Sequence, residues 1–170
     1  GARYESYLGD VATNKAGIKS TGIQPHELTR AFMQDHSVGN ETETFVLQWN
    51  DLVAKLKKCG NLGHVLPLCD VSGSMRGEPM EVSIALGLLI SELAEGPFKD
   101  RILTFESTPQ LIHLQSRTLG DRVRELEKAP WGGSTNIMAA FEAILNYASM
   151  MGCIQEQLPK VLLILSDMQF

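Results

Sequence analysis

Asp70, Ser72 and Ser74 bring three oxygen-bearing side chains to alternate positions in the stretch HVLPLCDVSGSMRGE, which runs from His64 to Glu78. One carboxylate beside two neutral hydroxyls is a donor set for a hard divalent cation, which takes oxygen ligands and, when it is Mg²⁺, keeps several waters. Spacing matters as much as residue type. Gly73, between the serines, tolerates backbone angles that other residues avoid, so a tight turn can gather both hydroxyls near the carboxylate. The apolar residues before it, Val65, Leu66 and Leu68, read as a buried strand. The pattern from Glu78 to about Glu95, with Met80, Ile84, Leu88 and Leu89 on one face, reads as a helix. In open α/β sheets, such a junction at the carboxyl end of a strand is where ligands bind.

Asp-x-Ser-x-Ser after an apolar strand resembles the metal-ion-dependent adhesion site of von Willebrand factor A domains. That family completes the site with a threonine from a second loop and an aspartate from a third. The loop Trp131-Gly132-Gly133-Ser134-Thr135-Asn136 matches the second through Thr135, and Asp167, after the apolar run Val161 to Leu165, matches the third. The resemblance implies Ser72 and Ser74 as direct ligands of Mg²⁺ (or Mn²⁺), with Thr135 direct or bridged by water. Asp70 and Asp167 would act mainly through water. Neutral direct ligands leave the ion electrophilic, and its open position suits an Asp or Glu carboxylate from a protein partner. The implied role is therefore binding rather than catalysis.

Further wording narrows the resemblance: Cys-Asp-Val-Ser-Gly-Ser-Met, Pro-Met-Glu-Val-Ser, Trp-Asn-Asp-Leu and Ser-Asp-Met-Gln-Phe. It is similar to a cytoplasmic plant and viral family in which the A domain follows a helical region. A more distant likeness is to the Ro ribonucleoprotein autoantigen, where helical repeats bind RNA beside such a domain. A ribonucleoprotein component is thus the alternative to a protein-binding module. The resemblance covers roughly residues 22 to 170.

Blander and more reactive readings compete at the same residues. Ser72 and Ser74 also suit turn and helix-cap positions, and Asp167 a loop cap. Haloacid-dehalogenase-type phosphatases place an aspartate nucleophile after an apolar strand, with a second aspartate two residues on as general acid. Here that position is Ser72, so the leaving group has no evident proton donor. No Gly-x-Ser-x-Gly elbow surrounds either serine, and no phosphate-cradling Gly-x-x-x-x-Gly-Lys-Ser/Thr occurs. His26, His36, His64 and His113 lie away from the three loops in sequence.

Alternating strands and helices must position these loops, which predicts a doubly wound, mostly parallel sheet of α/β class. Strands are expected at His64–Cys69, Arg101–Phe105, Gln110–Leu114 and Lys160–Leu165. The turn at Ser107-Thr108-Pro109 is too short for a helical crossover, so the third strand must be antiparallel. Helices are expected at Glu78–Glu95, Leu119–Glu127 and Ile137–Met151. Before them, Pro25–Gln34 and Glu41–Lys58 carry helical apolar stripes, the second through Phe45, Trp49, Leu52, Val53 and Leu56. These stripes are expected to pack on the sheet or on further helices. The division is therefore a helical segment over 1–60 and an A-like domain over 61–170. The family fold has two more strands with their helices, on the order of 60 residues at ordinary element lengths, so the chain reads as a fragment with an exposed fourth strand.

The 170 residues are 44% hydrophobic, enough for a sizeable core. A formal net charge of −5 and the lack of aromatic–basic interleaving disfavour a nucleic-acid footprint. Cys59, Cys69 and Cys153 are odd in number and lack metal-ligand spacing, which points to a reducing, cytoplasmic setting. Cys69, inside an apolar strand, is expected to be a small core residue. No segment approaches the roughly 18 apolar residues of a membrane helix.

Overall fold

A computed structural model describes residues 23–34, 40–60, 62–70, 72–130, 132 and 136–167. The amphipathic stretches before the sheet form α1 (Pro25–Gln34) and α2 (Asn40–Cys59). Strand β1 (Val65–Cys69) leads through a short 3₁₀ turn, Gly73–Met75, into α3 (Glu78–Leu93). Strands β2 (Arg101–Thr104) and β3 (Leu111–His113) follow, then α4 (Leu119–Glu127), α5 (Ile137–Met150) and β4 (Val161–Leu165). The strands run in the order β3-β2-β1-β4. β1 pairs parallel with β2 and β4, and β3 pairs antiparallel with β2. The fold is α/β, with a mostly parallel sheet, one antiparallel edge strand and helices on both faces.

The strand pleat sends alternate side chains to opposite faces, and two cores result. Cys69 and Ile102 face a layer built from α1, α2, α3 and α4, with Leu28, Phe32, Trp49, Ile84, Leu88 and Val123 buried there. Leu66, Leu68, Leu103 and Phe105 face the other way, onto Ala140, Ile144 and Ala148 of α5. Residues 25–59 thus share one core with the sheet. The Trp49 stripe is spent on this packing: Trp49 is 2% exposed, and its indole Nε1 donates to Glu92 Oε2 at 2.9 Å.

Helix α3 departs from expectation. A one-sided stripe through Met80, Ile84, Leu88 and Leu89 would leave the far face wet, yet Glu81, Ser83, Ala85, Ile90 and Ser91 are buried too. The sheet covers one side, where Ser83 Oγ donates to Leu165 O at 3.4 Å, and α1 and α2 cover another, where Arg30 meets Glu81 and Trp49 meets Glu92. Glu81, 9% exposed, is partnered there: Arg30 Nε donates to its Oε2 at 2.6 Å. A buried carboxylate needs such a partner. The ends of the elements also shift by a residue or two: β3 is shorter than Gln110–Leu114, and α3 stops at Leu93 because Ala94 is already extended.

Gly87 marks where α3 presses hardest on β1. A Cβ built there would overlap Cys69 Sγ. Cys69 is fully buried, and burial pushes its thiol up to about 12, so it stays protonated and unreactive. Gly87→Ala should destabilise the protein by about 1–3 kcal/mol through overpacking, despite alanine's intrinsic helix advantage of roughly 1 kcal/mol over glycine. Urea unfolding of Gly87→Ala, Cys69→Ala and the double variant checks this. The double variant should lose less than the two single losses combined, since the clashing atoms are a pair.

Among the described residues no strand pairs with the outer edge of β4, where Val161 is 51% exposed. Met138, Phe141 and Leu145 of α5 lie exposed at helical spacing. No helix among the described residues is long and apolar enough to cross a membrane.

Candidate metal centre

Parallel pairing of β1 with β4 is in register at Cys69 and Leu165. The next residue of each strand therefore emerges on the same edge of the sheet. Asp70 follows β1, and Ser166 and Asp167 follow β4. The backbone N–H of Asp70 donates to Leu165 O at 2.8 Å, which fixes the two loops side by side. On the other flank, Phe105 N donates to Cys69 O at 3.0 Å and brings the end of β2 alongside.

The turn after Asp70 is built by a few local bonds. Met75 N donates to Ser72 O at 2.9 Å, closing the 3₁₀ turn, and the Met75 side chain is buried beneath it. That winding turns both serine hydroxyls the same way, and Ser72 Oγ lies 2.9 Å from Ser74 Oγ. Ser74 Oγ donates to Asp167 Oδ1 at 3.4 Å. Asp70 is fully buried, with both carboxylate oxygens occupied. The Ser72 backbone N–H donates to Oδ1 at 2.8 Å, and Ser166 Oγ donates to Oδ2 at 2.8 Å. Buried charge is tolerable only when hydrogen-bonded in this way.

Four of the five residues expected at the site therefore converge: Asp70, Ser72, Ser74 and Asp167. The fifth, Thr135, lies outside the described residues. The described residues nearest it are Gly132 and Asn136. Gly132 N donates to Phe105 O at 3.3 Å, and a Cβ at Gly132 would stand 2.7 Å from Glu106 Cβ and 3.1 Å from its backbone Cα. Only glycine lets the backbone at 132 pass this close to Glu106. Asn136 caps α5 by accepting from Ala139 N at 3.1 Å.

Charge at the site is negative. Among the described residues no lysine, arginine or histidine forms an ion pair with Asp70 or Asp167. His26 pairs outside the donor set: its Nε2 lies 3.7 Å from Glu78 Oε1 at the start of α3. Next to Asp167 a cleft of about 470 Å³ opens between α3 and β4, walled by Met75, Pro79, Val82, Ile164 and Leu165. Sequence reasoning passed over Ser166. Its one signal was a hydroxyl immediately before Asp167, level with Asp70 once the strands pair.

Residues 64–170 match the model of a family described as a domain of unknown function, DUF7788. The chain is also 36% identical, over 167 residues, to the uncharacterized protein L728 of Acanthamoeba polyphaga mimivirus. That alignment takes in 98% of this chain, which spans only 29% of the viral protein's length. No solved structure matches the chain.

Proposed function

We propose that this chain, which belongs to the DUF7788 family, is a divalent-cation-dependent protein-binding module and not an enzyme. The observation that carries the reading is the 2.9 Å separation of Ser72 Oγ and Ser74 Oγ. Adjacent oxygens of an octahedral Mg²⁺ shell, with bonds of 2.0–2.1 Å, stand about 2.9 Å apart. The donor set fits the ion in chemistry as well: two neutral hydroxyls beside one buried and one exposed carboxylate.

Ser72 and Ser74 would hold Mg²⁺ or Mn²⁺ directly. Asp70, whose oxygens already accept from Ser72 N and Ser166 Oγ, would act on the ion through the residues around it. Asp167, accepting from Ser74 Oγ, orients that hydroxyl so that a lone pair is left for the metal. An ion held this way supplies an electrophilic position for a partner's carboxylate. Glu78 and Asp167 at the mouth of the cleft would repel that carboxylate in the metal-free protein, so binding should need the cation. A single ion-mediated contact is small, and the apolar cleft beside it offers surface for the remaining affinity.

Titration of the protein with Mg²⁺ or Mn²⁺ by calorimetry tests the reading, and absence of any affinity removes it. Thr135→Ala should weaken metal binding by about 10–100-fold, the range seen when groups around a metal site are removed. Its unfolding midpoint in chelator should stay at the wild-type value. Partner capture should fail in excess chelator. Capture lost on ribonuclease treatment instead would favour the ribonucleoprotein role.

A further inference from the structure

We propose that Ser166 is a positioning residue of this metal site, holding the Asp167 loop in register with the serine turn through Asp70; the inference rests on the metal reading above. Asp70 is a bracket with one oxygen for each half of the donor set. Its Oδ1 accepts from Ser72 N and so belongs to the turn that carries Ser72 and Ser74. Its Oδ2 accepts from Ser166 Oγ and so belongs to the loop that carries Asp167. Ser166 and Asp167 are consecutive, so the Ser166 bond sets where Asp167 begins.

Distances decide which link matters. Two side-chain bonds described here join the halves directly: Ser166 to Asp70 at 2.8 Å and Ser74 to Asp167 at 3.4 Å. The first is short and charge-assisted, the stronger kind; the second is at the limit of a hydrogen bond. Asp70 is fully buried while Ser74 and Asp167 are exposed. Water substitutes more readily at the outer link than at the inner one, whose acceptor is fully buried. Removing the Ser166 hydroxyl strands an anionic oxygen in the interior, and the carboxylate must turn toward other donors. In doing so it pulls on Ser72, so loss of one hydroxyl that never touches the ion disturbs both groups of ligands.

Calorimetric titration with MgCl₂ of the full chain, as wild type, Ser166→Ala, Ser166→Cys and Ser166→Thr, tests this. Ser166→Ala should bind Mg²⁺ about 10–100-fold more weakly, and Ser166→Thr should restore wild-type affinity by restoring the donor. Ser166→Cys keeps the shape with a poor donor, so it should bind weakly as well and serves if the alanine variant does not fold. Unfolding midpoints in chelator provide the control. A role confined to folding would lower the midpoint yet leave the affinity of the folded protein unchanged, and that result overturns the proposal. Wild-type protein that binds no Mg²⁺ overturns the metal reading and this inference with it. Wild-type binding with equal affinity in the alanine or cysteine variant overturns only the positioning role.

Discussion

Asp70→Ala is expected to abolish Mg²⁺ binding and, with it, all stabilisation of the fold by the cation. A ligand that binds only the folded state adds RT ln(1 + [L]/Kd), about 2.7 kcal/mol at a hundredfold excess over Kd. The wild-type unfolding curve should therefore move with Mg²⁺ concentration, and the Asp70→Ala curve should not. In chelator the variant should also lose about 1–3 kcal/mol, because Ser72 N–H and the Ser166 hydroxyl are left without their buried acceptor. Asp70→Asn separates the two effects. It keeps an acceptor for Ser72 and lets the Ser166 hydroxyl rotate, but removes the charge. It should fold nearly as well as wild type in chelator and still fail to respond to Mg²⁺. Urea titrations with and without the ion read both quantities. A wild-type curve that ignores Mg²⁺, or an Asp70→Ala curve that follows it, contradicts the expectation.

Trp49→Ala is expected to be the most damaging single change to the fold, at about 3–5 kcal/mol. The indole is 2% exposed and lies among buried residues of α1, α3 and the sheet face that carries Cys69. Truncation leaves a cavity where α2 meets α3 and removes the donor to Glu92 Oε2. Trp49→Phe fills most of the volume and should lose far less, mainly a hydrogen bond worth about 1 kcal/mol. The loss should appear in the same transition that unfolds the sheet, since α2 and the strands share one core. Denaturant curves followed separately by far-ultraviolet dichroism and by a probe on the sheet check that. A separate early transition for the helices would mean that residues 25–59 fold as an independent unit.

Much of this was legible in the chain because it depends on short spacings. The strand before Asp70, the turn through Gly73 and the start of a helix at Glu78 all follow from local pattern, and the turn at Ser107–Pro109 required β3 to be antiparallel. Asp70, Ser72 and Ser74 were readable as a donor set because they lie within five positions of each other. Asp167 was assigned to the same site only through a family resemblance, since nothing within the chain measures a separation of almost a hundred residues. The all-round burial of α3 was not legible: periodicity reports one apolar face, and the second is covered by helices that precede β1. Gly87 and Gly132 carry no mark of the close contacts that exclude a side chain there.

By itself, then, the sequence determined the alternation of elements, the α/β class and the chemistry available at the end of β1, because propensity, turn residues and hydrophobic period are properties of neighbouring residues. Tertiary structure alone decided which strand lies beside β1, and so which loop faces Ser72 and Ser74. The parallel register of Cys69 with Leu165 sets Ser166 and Asp167 against Asp70. Register of that kind is settled by the packing of both sheet faces at once, on α3 below and α5 above, and no local stretch of the chain carries that information.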